Sequence, residues 1–230
     1  MPPLHRHQLA YLSAHGWAGV LAQPWDEQAR ECLAAWAGAG LPLVVTRQRT
    51  PRDSAAAPVW LGLCAPNEWS RRLLAIQVPL ADIGWFSEFP QLADVIDELP
   101  RAAQRPLRET ASALCRLGVR TRAYGSVGWQ GVTGLAYLHE RSDLDLWLAV
   151  DDAAQADAAA DCLQRCAPAR LRVDGELVFG DGGAVAWREW AAWRSGRTTA
   201  LLVKRLGGVD IERSLGAPVP TMGSLAERIA

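Results

Sequence analysis

Several things are scarce in this chain of 230 residues, and each scarcity closes off a class of function. The formal net charge is only -1, so there is no basic excess to neutralise a run of phosphates, and extended nucleic-acid binding is disfavoured. No stretch approaches the ~20 consecutive apolar residues that span a bilayer. The segment from Met1 to Trp17 alternates His, Arg and apolar residues without the apolar region of a signal peptide, which makes a cytoplasmic location the expectation. Cysteines are few and scattered. Cys162 and Cys166 alone stand close, at helical spacing in an Ala-rich run, and are read as reduced core thiols because no His or Cys pair accompanies them. The four histidines show no metal-ligand spacing, and His5 and His7 are read as part of an N-terminal surface segment. Phosphate-loop, Rossmann and Gly-x-Ser-x-Gly fingerprints are missing, which removes ATPase, dehydrogenase and serine-hydrolase readings.

What the chain has in quantity is apolar residues, 50% of the total against 21% charged, enough to bury a substantial core. Tryptophan is abundant; Trp187, Trp190 and Trp193 recur every third residue, along one side of an expected helix, and are assigned to core packing rather than base stacking. The polar, proline-bearing stretch Asp94 to Pro106 separates two halves and marks a domain boundary or a helix start. We therefore expect an N-terminal α+β domain over 1–98, a second domain over 99–216 and a tail over 217–230. In the first domain Glu27 to Trp36 has helical spacing and a glycine stop, while Leu43 to Thr46, Val59 to Leu63 and Leu73 to Val78 look like strands. The second reads as a helix from Leu107 to Leu117, a strand to Tyr124, a Gly125-Ser126 turn, and an alternating strand through Leu144, Leu146, Leu148 and Val150. After these come an Ala-rich helix from Ala153 to Cys166, a strand pair on Leu171 to Val173 and Leu177 to Phe179, then strands at Leu201 to Val203 and Val209 to Ile211. The fold class is α/β or α+β, with a mixed sheet and flanking helices.

The chemistry concentrates in Tyr124-Gly125-Ser126 and in Asp143-Leu144-Asp145 downstream. Residues two apart on a strand share a face, with Cα atoms about 6.5 Å apart, so both carboxylates project together. Such a pair repels by roughly 3 kcal/mol at an effective dielectric of 20 unless a cation bridges it. Mg²⁺ suits that need, since it takes hard oxygen ligands and keeps positions open for phosphate oxygens. Gly125 lets backbone approach a phosphate closely, and the Ser126 hydroxyl can donate to it. Lys204 follows an apolar strand and is the candidate cation for a pyrophosphate, with Arg141 and Arg122 as competitors. Gln130 and Trp129, just past the turn, are candidates to touch ribose or adenine. Arg47, Arg49, Arg52, Arg71 and Arg72 form a candidate basic docking face.

The stretch from Tyr124 to Trp147, YGSVGWQGVTGLAYLHERSDLDLW, resembles the signature of the phosphoribosyl-dephospho-CoA transferases, the holo-acyl-carrier-protein synthases of malonate decarboxylase. The similarity continues through Val173 to Leu177, Trp187 to Trp190 and Leu202 to Arg205. The resemblance implies a nucleotidyltransferase fold that moves the prosthetic group of triphosphoribosyl-dephospho-CoA to a carrier-protein serine and releases pyrophosphate. Asp143 and Asp145 would then be the catalytic, Mg²⁺-binding pair, and Gly125-Ser126 the phosphate-binding element. Nucleotidyltransferases of that fold usually supply a third carboxylate from a later strand, for which the resemblance implies Asp174 or, alternatively, Glu176, two apart on one face, with Asp174 favoured and Asp210 and Glu212 ranked lower. Two other readings keep the same residues: transfer to a small-molecule or RNA acceptor, and a non-catalytic nucleotide- or carrier-protein-binding protein on the same fold.

Overall fold

The computed structural model describes residues 4–49, 57–166, 168 and 171–213. Two sheets organise it. The first half runs β1 (Leu9–Leu12), α1 (Ala14–Leu21), α2 (Glu27–Gly38), β2 (Leu43–Val45), β3 (Val59–Cys64), β4 (Leu73–Val78) and β5 (Ile83–Ser87). Its strands form an antiparallel sheet in the order β4-β3-β2-β1-β5. Ser13 and Asp26 cap α1 and α2 by accepting from the backbone N–H of Gly16 and Ala29, which satisfies donors a helix start leaves open. Ala29, Cys32, Leu33 and Trp36, at helical spacing, bury one face of α2 in the core of this sheet.

The second half runs α3 (Leu92–Val95), α4 (Arg101–Arg116), β6 (Arg120–Tyr124), α5 (Gly125–Thr133), β7 (Leu144–Ala149) and α6 (Ala153–Cys166). It continues with β8 (Val173–Val178), β9 (Ala184–Ala186), α7 (Trp187–Arg194), β10 (Leu201–Lys204) and β11 (Val209–Glu212). Its mixed sheet has the order β11-β10-β9-β8-β7-β6, in which only β7 and β8 are parallel. The two are joined through α6, as a parallel pair needs a crossover. Leu144, Leu146 and Leu148 point into the core with α4, α6 and α7, so Asp145 and Trp147 take the opposite face. Trp187 and Trp190 are buried in that core, with Trp193 packed partly against it.

The structure departs from the sequence reading at four places. Gly125-Ser126 is not a turn between strands; it opens helix α5. Glycines every third residue argue against a helix by propensity, yet those inside α5 are demanded by contact: a Cβ at Gly128 would strike the Ala123 carbonyl, and one at Gly131 would lie 2.7 Å from Val95. Leu171 to Phe179 is not a strand pair but one strand, β8, that passes through Gly175 without turning. Helix α4 starts at Arg101 and carries Pro106 inside it, losing one backbone bond while Ala103, Leu107, Thr110 and Leu114 stay buried along one face. The expected division at 98 falls within the second core, because Leu92, Val95, Ile96 and Leu99 already pack there. The expected tail, 217–230, lies outside the described residues, as does Arg52 of the proposed basic face.

The two halves meet closely. Trp129 of α5 and Tyr137 are buried in the core of the first half, where Trp129 meets Trp36 edge-on at 6.0 Å and Phe89 at 5.3 Å. The Tyr137 hydroxyl donates to the Cys64 carbonyl at 2.7 Å, and the backbone N–H groups of Gln48 and Asn67 donate to Leu206 and Ala136.

Candidate active site

Three neighbouring strands bring the acidic residues together. Tyr124 on β6 pairs with Asp145 on β7, which pairs with Asp174 on β8, so the three stand level across the sheet. Asp143 lies immediately before β7 and not within it. Gly125, at φ 61, turns the chain out of β6 into α5 so tightly that a Cβ there would collide with Asp145 Oδ2. The first turn of α5 therefore starts against the Asp145 carboxylate, and its unpaired N–H groups suit an anion.

The electrostatics of Asp145 are unbalanced. Burial, followed by the carboxylates of Asp174, Asp143 and Glu176, raises its carboxyl to about 6. Asp174 is better served: Arg172 Nε lies 2.8 Å from it and Arg188 Nε 3.3 Å, while Arg172 also stands 3.9 Å from Asp143. Glu176 is buried to 4% exposure. Burial alone would raise its carboxyl, but His7, Arg6 and Lys204 more than reverse that and hold it at about 2. Among the described residues no three His, Cys, Asp or Glu side chains are grouped to hold one metal ion. The donor set still suits Mg²⁺ chemically, since Asp143 and Asp145 offer hard oxygens and Asp145 is short of positive charge.

Two cavities adjoin at Arg172. One, of about 390 Å³, is lined by Tyr124, Asp145, Asp174, Glu176, Trp187, Arg188 and Lys204 among others. The second, of about 810 Å³, runs along Glu98 to Arg101 and Leu138 to Asp143. The structure thus brings Gly125, Asp143, Asp145, Asp174, Glu176 and Lys204 to one region. Ser126 is beside it, its hydroxyl accepting from Arg71 at 3.2 Å. Gln130 points elsewhere, where its amide donates to Glu98 and accepts from the backbone N–H groups of Tyr137 and Leu138, pinning the 137–138 segment. The proposed basic face is not a free patch, because Arg72 is paired with Asp26, Arg47 donates to the Gly207 carbonyl, and Arg49 lies over Trp60. Asp210 and Glu212 pair with Arg205 on the outer hairpin.

His5 and His7 correct the reading of a surface segment. The His7 ring stacks on Tyr124 at 4.2 Å and its Nε2 lies 3.3 Å from Glu176, while His5 pairs with Glu88 at 2.9 Å. Arg6, His7, Arg172 and Arg188 are the site residues that sequence reasoning missed. The local signal was the His5-Arg6-His7 cluster, whose destination more than 160 positions away no periodicity reveals.

An α+β fold gathers carboxylates and cations around adjoining open cavities, an arrangement suited to an enzyme, and comparison with known proteins makes it a transferase. Residues 91–215 match the family model described as phosphoribosyl-dephospho-CoA transferase MdcG C-terminal domain, and residues 5–89 match its N-terminal counterpart. The phosphoribosyl-dephospho-CoA transferase of Xanthomonas campestris pv. campestris strain 8004 is 35% identical over 206 residues, covering 88% of this chain and 91% of that protein. The protein of the same name from Bradyrhizobium diazoefficiens is 34% identical over 209 residues, covering 89% and 88%, and that from Pseudomonas aeruginosa 33% over 179 residues, covering 76% and 81%. No solved structure matches the chain. The chain belongs to the phosphoribosyl-dephospho-CoA transferase family. Among the described residues no helix is long and apolar enough to cross a membrane.

Proposed function

We propose that this transferase moves the 2'-(5''-phosphoribosyl)-3'-dephospho-CoA group from its triphosphate precursor to a serine of the acyl carrier protein of malonate decarboxylase, in the cytoplasm. The serine oxygen forms a bond to the α-phosphorus, the bond from that phosphorus to the bridging oxygen breaks, pyrophosphate leaves, and the hydroxyl proton passes to water. Asp143 and Asp145 would hold Mg²⁺, whose charge offsets that of the phosphate oxygens and the departing pyrophosphate. Asp174, level with Asp145, is the third carboxylate of the site, kept at its edge by Arg172 and Arg188. The start of α5 at Gly125 and Ser126 offers N–H and hydroxyl donors to a phosphate. Lys204 and Arg188 line the same cavity and suit the polyphosphate end of the donor.

The single observation that carries this reading is the placement of Asp145, level with Asp174 across the sheet and directly against Gly125 at the N-terminus of α5. An added cation at that carboxylate would lower the cost of bringing a phosphate beside it, which is what a metal-assisted transfer supplies. The test is intact mass analysis of the apo carrier protein after incubation with enzyme, Mg²⁺ and triphosphoribosyl-dephospho-CoA. The expected result is one added prosthetic group per carrier, dependent on Mg²⁺ and lost in Asp145→Asn. Pyrophosphate release with an unmodified carrier would move the reading to a different acceptor, and no consumption of donor would discard it.

A further inference from the structure

Glu176 presents a physical puzzle. A carboxylate at 4% exposure carries a desolvation cost of several kcal/mol unless cations surround it, and three basic side chains do so here. Lys204 Nζ lies 2.8 Å from Oε1, Arg6 Nη2 3.6 Å from Oε1, and His7 Nε2 3.3 Å from Oε2. Lys204 comes from β10 of the second half, whereas Arg6 and His7 come from the segment leading into β1 of the first. Two fixed cations, Arg6 and Lys204, against one carboxylate leave at least one positive charge over. Lys204, the chain's only lysine, lines the cavity that holds Asp145, and its ammonium has three donors of which Glu176 takes one.

The segment that brings Arg6 and His7 is held against strain. His7 sits at φ 66, a left-handed conformation that costs a non-glycine residue roughly 1–3 kcal/mol and persists only where the surroundings over-determine it. Its backbone N–H donates to the Val45 carbonyl, its ring stacks on Tyr124, and its Nε2 reaches Glu176. Arg6 Nη1, in turn, is buried with no acceptor among the described residues, at the carboxylate where the two halves meet.

We propose that Glu176 is a positioning residue and not a metal ligand: with Arg6 and His7 it clamps Lys204 so that two of its N–H groups face the cavity and bind a polyphosphate. The N-terminal half thereby completes the anion site of the C-terminal half. The inference rests on the proposed function only for the identity of the polyphosphate, the triphosphate end of the donor.

The experiment measures binding of inorganic pyrophosphate to the full chain by calorimetry, in Mg²⁺, alongside steady-state transfer kinetics. Lys204→Met is expected to weaken pyrophosphate binding roughly tenfold or more through the loss of its charge-assisted hydrogen bonds, and Glu176→Gln to weaken it comparably through the loss of the contact that aims the ammonium. In the double variant the losses should not multiply, because both changes remove one unit. In transfer, KM for the donor rises while KM for the carrier protein stays within about twofold, and Mg²⁺ still activates the Glu176→Gln enzyme. Arg6→Gln, a half-buried position in the other half, keeps the test open should Glu176→Gln fail to fold, with a loss of about threefold expected. Multiplying losses, a Glu176→Gln enzyme indifferent to Mg²⁺, or unchanged pyrophosphate binding in Arg6→Gln would each overturn the assignment. Wild-type protein that bound pyrophosphate in this pattern yet modified no carrier would sink the proposed function and leave this inference standing.

Discussion

Asp145 decides most of the chemistry at the level of single side chains. Its carboxyl is raised from 3.8 to about 6 by burial and by three neighbouring carboxylates, so the folded state binds its proton more tightly than the unfolded chain does. Stability therefore falls as pH rises from about 4 to 6, and the full penalty stands at any higher pH. Asp145→Asn is expected to melt at a higher temperature than the wild type at pH 7.5 in chelator, with the difference shrinking as pH falls through 6. It should also lose transfer by several orders of magnitude. A variant no more stable than the wild type at pH 7.5 would contradict the charge deficit. Addition of Mg²⁺ is expected to raise the wild-type melting temperature at pH 7.5 and to leave Asp145→Asn unmoved, as binding to the folded state alone requires.

At the next scale α5 links the site to the scaffold. It begins at Gly125 against Asp145, sends Trp129 into the neighbouring core and stops at Gly134, a left-handed C-terminal residue at φ 70. Gly128→Ala sets two effects against each other. Helix propensity favours Ala by about 1 kcal/mol. The added methyl would, however, strike the Ala123 carbonyl and stand 2.8 Å from Phe89, and overpacking of that kind costs about 1–3 kcal/mol. The clash is expected to win, because one partner is backbone of β6 and cannot swing aside. Denaturant unfolding measures the sign, and a stabilised Gly128→Ala protein would show that α5 is free to shift away from β6.

Across the whole molecule, one half supplies a covered face and the other the carboxylates. His5, Arg6 and His7 lie against Trp147, Tyr124 and Glu176, on the face of the mixed sheet opposite its helices. Trp129 fastens this arrangement from the other direction, at 4% exposure among Trp36, Phe89 and Tyr137. Trp129→Ala is expected to cost about 3–5 kcal/mol in urea unfolding and to impair transfer although the residue touches no reacting group. A loss below about 1 kcal/mol would mean that the halves hold together without it.

The alternation of Leu144, Leu146 and Leu148 that makes β7 half-buried, the Ala-rich helix α6, the mixed α+β class and, through the stretch from Tyr124 to Trp147, the family are all legible in the order of residues. Period and composition are local properties, and these features depend on little else. Tertiary structure alone decided that Gly125 opens a helix, since only contact with Asp145, Ala123 and Val95 explains glycines at that spacing. It also decided that Asp174 stands level with Asp145 while Glu176 is buried under Arg6, His7 and Lys204. Strand register and the meeting of residues 6 and 176 are set by long-range packing, and no window along the chain contains the atoms that determine them.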